Sequence, residues 1–183
     1  MSIAMPTRTS RAVAGISGAI VEPVVAVLAD MGYAPASSAL PATAGLVDGS
    51  AADRFIDQAA RTLADDALGL HVAERVPMGS LGLVDYALVT SATVREALVR
   101  VTRHYGVVTQ RVRLSLVEDG AHAVLAFERL AGLAHSRHWM EFSYAIMTER
   151  MRQTLGAPIA VEEVSFSHEA PPDTRAHHAF FGV

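Results

Sequence analysis

His135 and His138 stand in an H-x-x-H spacing with Glu141 three residues further on, at what reads as the start of a helix. Residues three apart share a helix face, so two imidazoles and a carboxylate could together take a cation such as zinc. Zinc helices more often carry histidines four apart with a carboxylate base, and this trio lies near a loop on what reads as a wet face. Ordinary surface side chains are the expectation, and no metal site is assigned. His177-His178 has a weaker case still, because neighbours on a helix diverge by about 100°. Ser17 in GISG and Ser80 in GSLG lack the G-x-S-x-G elbow of a serine nucleophile, and neither leads into the Gly-Lys-Ser/Thr of a phosphate loop. Asp65-Asp66 and Glu162-Glu163 could do acid–base work only if burial shifted them; solvated surface or helix capping is their default. No catalytic residue and no cofactor is expected.

A different chemistry is offered by the aromatic residues Tyr86, Tyr105, Trp139, Phe142 and Tyr144, with His104, Arg137 and His138 near them in sequence. Apolar walls with a few polar handles are what a small-molecule pocket needs, and these eight are the candidate ligand-binding residues. Each aromatic also serves as plain core packing. Met140, Met147 and Met151 could add a pliable ligand or subunit surface, with core the plainer role.

The elements that must position these side chains are legible from periodicity. Met1 to about Ser17 reads as a disordered start. Ile20, Val21, Val24, Val27, Leu28 and Met31 then form a helical stripe stopped by Gly32, with Pro23 opening or kinking that helix. Tyr33 to Gly49 reads as a long connection. Ser50, with Asp53 three residues later, predicts the cap of a second helix running to about Ala64, and Asp65-Asp66 opens a short third one. Leu81 to Val89 reads as helix. Thr93 and Glu96 form a T-x-x-E capping box, the glutamate reaching back to the cap's own N–H, and the helix behind it buries Val94, Ala97, Leu98, Val101 and Tyr105. From Val108 the period becomes two; Asp119-Gly120 makes a hairpin turn, and Ala123, Leu125 and Phe127 define the return strand. A long helix from about Ser136 to Leu155 ends at Gly156, and Ile159 to His168 reads as a third strand. The expected architecture is α+β: N-terminal helices followed by a small antiparallel sheet packed against a long helix.

With 183 residues, 51% of them apolar, the chain can bury one sizeable core. Its net charge of −4 argues against a nucleic-acid surface on this piece. All 15 basic residues are arginine, which supports no functional conclusion. The absence of cysteine excludes disulfides and thiolate chemistry and fits a cytoplasmic home. Arg8 and Arg11 ahead of an apolar run imitate a secretory signal, but Glu22 and Pro23 interrupt the run; no stretch is long enough for a membrane helix.

Two ordered blocks carry a family resemblance. Gly69-Leu70, Ser91 to Leu98 in the pattern S-x-T-x-x-E-A-L, and Arg103 to Tyr105 in R-x-Y form the first. VSFSHEAPPDTRAHHAFFG, from Val164 to Gly182, supplies a strand, a His-x-x-Pro turn and a Phe-Phe-Gly helix. Together they resemble the N-terminal effector-binding domain of a subset of AraC-type transcription regulators, over roughly Ser50 to Val183. The resemblance implies an effector-binding and dimerisation domain, which the single core extends over residues 18–183 behind the disordered start at 1–17. It implies a small-molecule effector, a homodimer and no catalytic act. DNA would be read only through a C-terminal helix-turn-helix domain absent from this chain, which reads as a truncated product. The many-helix order departs from the sugar-binding barrel of other such regulators, so the effector is left open. The alternatives are a small metal-binding protein or enzyme using the His135, His138 and Glu141 cluster, and a pure protein-interaction module.

Overall fold

The computed structural model describes residues 14–34, 40, 45–120, 122–130 and 133–183. Its elements follow in the order β1 (Gly15–Ser17), α1 (Gly18–Asp30), β2 (Leu46–Asp48), α2 (Gly49–Leu63), α3 (Leu68–Arg75), α4 (Leu83–Val89), α5 (Val94–His104), β3 (Val112–Asp119), β4 (His122–Arg129), α6 (Arg137–Leu155) and α7 (Arg175–Phe181). The fold is α+β, as expected, but its strands form two separate antiparallel pairs, β1 with β2 and β3 with β4.

Local chemistry accounts for most boundaries. Thr93 caps α5 by accepting the Glu96 N–H at 3.1 Å, while Glu96 accepts from the Ala92 N–H at 2.9 Å, one residue ahead of the predicted partner. Ser136 caps α6 by accepting from the His138 N–H, and Gly156 ends it in the left-handed conformation. Pro23 lies inside α1, not at its start.

Four expectations need correction. The cap of α2 is Asp48, which accepts the Ala51 N–H at 2.6 Å; Ser50 is already inside the helix. Most of the expected disordered start lies outside the described residues, but Gly15–Ser17 forms β1, whose Ile16 pairs with Val47. The strand expected from Val108 is divided: Thr109 bridges Ile16, and the ladder with β4 begins only where Val112 pairs with Arg129. Ile159 to His168 runs without strand pairing, because its side chains and not its backbone are what the core takes: Val164 and Phe166 pack against it.

Helix α6 is the hub. Its buried residues include Trp139, Phe142, Ala145, Ile146 and Met147, and the Trp139 indole N–H donates to the Ala52 carbonyl of α2 at 2.8 Å. Against α3 it packs so closely that a Cβ on Gly69 would strike the His138 carbonyl oxygen and stand 2.8 Å from the Phe142 nitrogen. One helical turn from its end, Arg150 is fully buried. It donates to Asp85 at 2.7 Å and to the Val76 and Pro77 carbonyls, and Asp85 in turn accepts the Gly79 and Leu81 N–H groups. A buried ion pair with this many partners fixes the chain between α3 and α4 in one arrangement. The hairpin packs through Leu114 and Phe127, the latter 5.7 Å from the Tyr105 ring and 4.7 Å from Tyr144.

Gly69→Ala is expected to destabilise the domain by about 1–3 kcal/mol, because backbone atoms, unlike side-chain ends, cannot yield to the new methyl. Urea unfolding tests this, and an unchanged midpoint would refute the close approach.

Candidate functional site

A cavity lies where α6 faces α4, the end of α5 and the strand β1. The apolar walls come from Ile16, Leu81, Tyr105, Trp139, Phe142 and Ile146, around a cavity of about 60 Å³. One wall is polar. Arg111, nearly fully buried, donates to Asp53 at 2.5 Å and to the Ala134 carbonyl. The guanidinium reaches Asp53 only because Gly49 has no side chain; a Cβ there would occupy the same space. Burial raises the Asp53 carboxyl above its usual value against the opposing pull of Arg111 and the Ser136 N–H. His135 joins this wall with a buried Nε2 that has no partner. Burial, reinforced by Arg111 and Arg129, lowers its pKa to about 4, so it is neutral at pH 7.

The eight residues singled out from the sequence divide among several places. Tyr105, Trp139 and Phe142 line the cavity. Arg137 and His138 line a separate open cleft with Asp57, Asp65 and Asp66, where Arg137 pairs with Asp66 at 2.8 Å. Tyr144 stacks between Phe127 and Phe166, at 4.7 and 5.1 Å. His104 is exposed, and Tyr86 on α4 is 65% exposed.

Glu141 is not on a wet face. Its carboxylate is fully buried, and it sits with His138 and with two histidines far away in sequence. His177 Nε2 on α7 is 3.2 Å from Oε1, His168 Nε2 is 3.7 Å from the same oxygen, and His138 Nδ1 is 3.8 Å from Oε2. His135 stands at the cavity instead. Among the described residues no group of three His, Cys, Asp or Glu is placed to hold a metal ion.

His168 Nδ1 lies 3.0 Å from the Glu169 carbonyl, which only accepts, so Nδ1 carries a hydrogen and Nε2 is the nitrogen that faces Glu141. Burial raises the Glu141 carboxyl to about 7, against the opposing charges of Arg137 and His168. Burial lowers His138 to about 4, and lowers His177 as well.

The model of the N-terminal arabinose-binding domain of AraC transcription regulators matches residues 24–183. The chain belongs to this family. No curated protein matches the chain. Membership in the AraC regulators makes this a ligand-sensing regulatory domain, and no helix among the described residues is long and apolar enough to cross a membrane.

Sequence reasoning missed the Arg111–Asp53 wall, His135 as a cavity residue, and the gathering of His168 and His177 on Glu141. One signal was available: Glu141 lies between Trp139 and Phe142 and one turn from Ala145, on a stretch of α6 whose other members are core residues. The histidine partners had no local signal, since 27 and 36 residues separate them from Glu141.

The Glu141 carboxyl has a folded value near 7, above its ordinary 4.5, so the stability it contributes is present below about pH 4.5 and is lost as pH rises through 7. His138 works in the opposite sense: its contribution is present above 6.5 and lost as pH falls through about 4. Glu141→Gln, which cannot ionise, should therefore be more stable than the parent at pH 8, with a ceiling of about 3 kcal/mol, and lose that advantage by pH 5. Denaturant midpoints across pH 5 to 8 check it; a pH-independent difference would show that the carboxylate does not titrate in this range.

Proposed function

We propose that the chain is the effector-binding and self-association domain of an AraC-type regulator, that its effector occupies the cavity against Trp139, and that it performs no catalysis. The observation that carries this reading is the cavity's makeup: an apolar, partly enclosed volume with a short polar wall, built on the helix that also reaches the C-terminal element of the chain. In such regulators DNA is read by a separate C-terminal helix-turn-helix domain, and a cytoplasmic location follows from that role. The net charge of −4 fits a piece that leaves DNA contact to other residues.

An effector acts only through the difference in its affinity for two arrangements of the protein. Helix α6 is suited to carry that difference, because Trp139, Phe142 and Ile146 line the cavity while Glu141, on the same helix, faces His177 of α7. A displacement of α6 by ligand therefore changes the packing of α7. For self-association, α4 leaves Tyr86 and Val89 exposed and α5 leaves Val99 partly so, which offers apolar surface to a second copy.

Thermal unfolding against a metabolite library, read by the fluorescence of Trp139, tests the reading. A ligand at a hundred times its dissociation constant should stabilise the domain by about 2.7 kcal/mol, and Val112→Phe, which fills the cavity from its hairpin side, should abolish the shift. Sedimentation should show a dimer. A library without a single hit, together with a monomer at all concentrations, would defeat the proposal.

A further inference from the structure

We infer that the cavity beside Trp139 recognises its occupant by an oxygen acceptor, a carbonyl or a carboxylate on an otherwise apolar molecule, and that the N–H groups of Arg111 which the protein leaves unused are what binds it. This rests on the reading of the cavity as the effector site, and makes Arg111 its specificity-determining residue.

A guanidinium carries five N–H donors in a planar fork. In Arg111 only Nη2 is engaged, with Asp53 at 2.5 Å and with the Ala134 carbonyl. Nε and Nη1 donate to nothing among the described residues, which leaves three N–H groups without a partner. Neither nitrogen is sealed, and the side chain, 4% exposed, lines the cavity, so the surface they keep is offered there. The Tyr105 hydroxyl adds a fourth donor: it reaches only Ser143, whose own hydrogen goes to the Trp139 carbonyl at 2.8 Å. Donors on a buried charged group are costly to leave bare, and an acceptor in the cavity relieves that cost.

Acceptors are scarce on the same wall. Asp53 is engaged by Arg111 and by the Ser136 N–H. Thr109 Oγ1 donates to the Gly15 carbonyl and accepts the Arg111 backbone N–H, and the Trp139 indole N–H is donated to the Ala52 carbonyl. His135 Nε2 is sealed and meets no occupant, while Nδ1 accepts in only one of the two neutral tautomers. The polar edge therefore asks for oxygen lone pairs, and an amine buried against it finds little to bond to. The other walls, Ile16, Leu81, Phe142 and Ile146 among them, ask for an apolar body. Because arginine does not deprotonate in proteins, this excess of donors does not change with pH. Asp53 already balances the guanidinium charge. A carbonyl oxygen leaves that balance alone, whereas a carboxylate places a second anion on one cation, eased by the burial that holds Asp53 above its ordinary value and closer to taking a proton.

Calorimetric unfolding of the chain with toluene, acetophenone, benzoate or benzylamine, four probes built on one ring, tests the assignment. Acetophenone or benzoate should bind at least about tenfold tighter than toluene, as a hydrogen bond from a charged donor implies, and benzylamine no tighter than toluene. The ratio of benzoate to acetophenone tells the two oxygen sources apart. In the double variant Arg111→Met, Asp53→Leu, which removes both charges and orphans neither, both oxygen probes should fall to within about twofold of toluene while toluene still binds. Circular dichroism checks the variant's fold; if it does not fold, the ratios measured on the parent decide. Toluene or benzylamine binding as tightly as both oxygen probes, or a preference that survives the double variant, overturns the role of Arg111. The effector reading outlives that result where Val112→Phe abolishes the binding. Silence of all four probes overturns the assignment, and silence of the metabolite library as well takes the effector reading with it.

Discussion

Everything on the cavity side of the molecule depends on how closely α6 approaches α3. The missing side chain at Gly69 lets the backbone of α6 come down at His138 and Phe142. At that distance Glu141 is sealed from water, Phe142 and Trp139 enter the core, and the Trp139 indole reaches the Ala52 carbonyl. With a larger residue at position 69 the helix would stand further out, and the cavity, bounded by the same stretch of α6, would lose its wall. The apolar stripe of a helix ordinarily determines which face is buried, but not how deep. Here a single small residue determines the depth, and with it the burial of the carboxylate.

Two buried ion pairs then set the remaining walls. Arg150 with Asp85 ties the far end of α6 to the turn before α4, which carries Leu81 into the cavity. Arg111 with Asp53 ties the start of the hairpin to α2 and closes the polar side. Buried pairs of this kind add little net stability compared with apolar residues of the same shape, but breaking one leaves an uncompensated charge, so they restrict the chain to few arrangements. In this domain they hold in place the loops that an apolar core alone would leave free. Arg111 has a second consequence: its charge is balanced inside the wall it builds, so the cavity is polar at one edge without being charged.

The helices and the hairpin were legible because their signals are local. Thr93 with Glu96, Ser136 with Gly156, and the alternation either side of Asp119-Gly120 each depend on residues within a turn or two of one another. The cavity was half legible for the same reason: Trp139 and Phe142 lie on one helix, and Tyr105 ends the capped one. What was not legible came from separations of tens of residues. Asp53 and Arg111 are 58 positions apart, and the histidines around Glu141 come from three different segments. The supposed strand before His168 failed for a related reason. Its alternation of Val164 and Phe166 with polar residues is real, but alternation reports which side chains are buried, and a ladder also needs a free edge to pair with.

The cavity and the Glu141 cluster are chemically unlike, yet they share one helix and one row of rings. From the cavity wall, Tyr105 meets Phe127, Phe127 meets Tyr144 of α6, Tyr144 meets Phe166, and Phe166 touches His168, His177 and Phe181. Contiguity of this kind does not by itself amount to coupling, which needs an element with two arrangements that both ends can bias. The Glu141 cluster supplies the property such an element requires. Its contacts with His168 and His177 depend on where one proton resides, and a carboxyl held near 7 leaves that proton only loosely committed at neutral pH. A small shift of α6 that lengthens the 3.2 Å approach of His177 would therefore change both the protonation of Glu141 and the seat of α7. A molecule held in the cavity, on the opposite face of α6, would need no charge of its own to reach that proton.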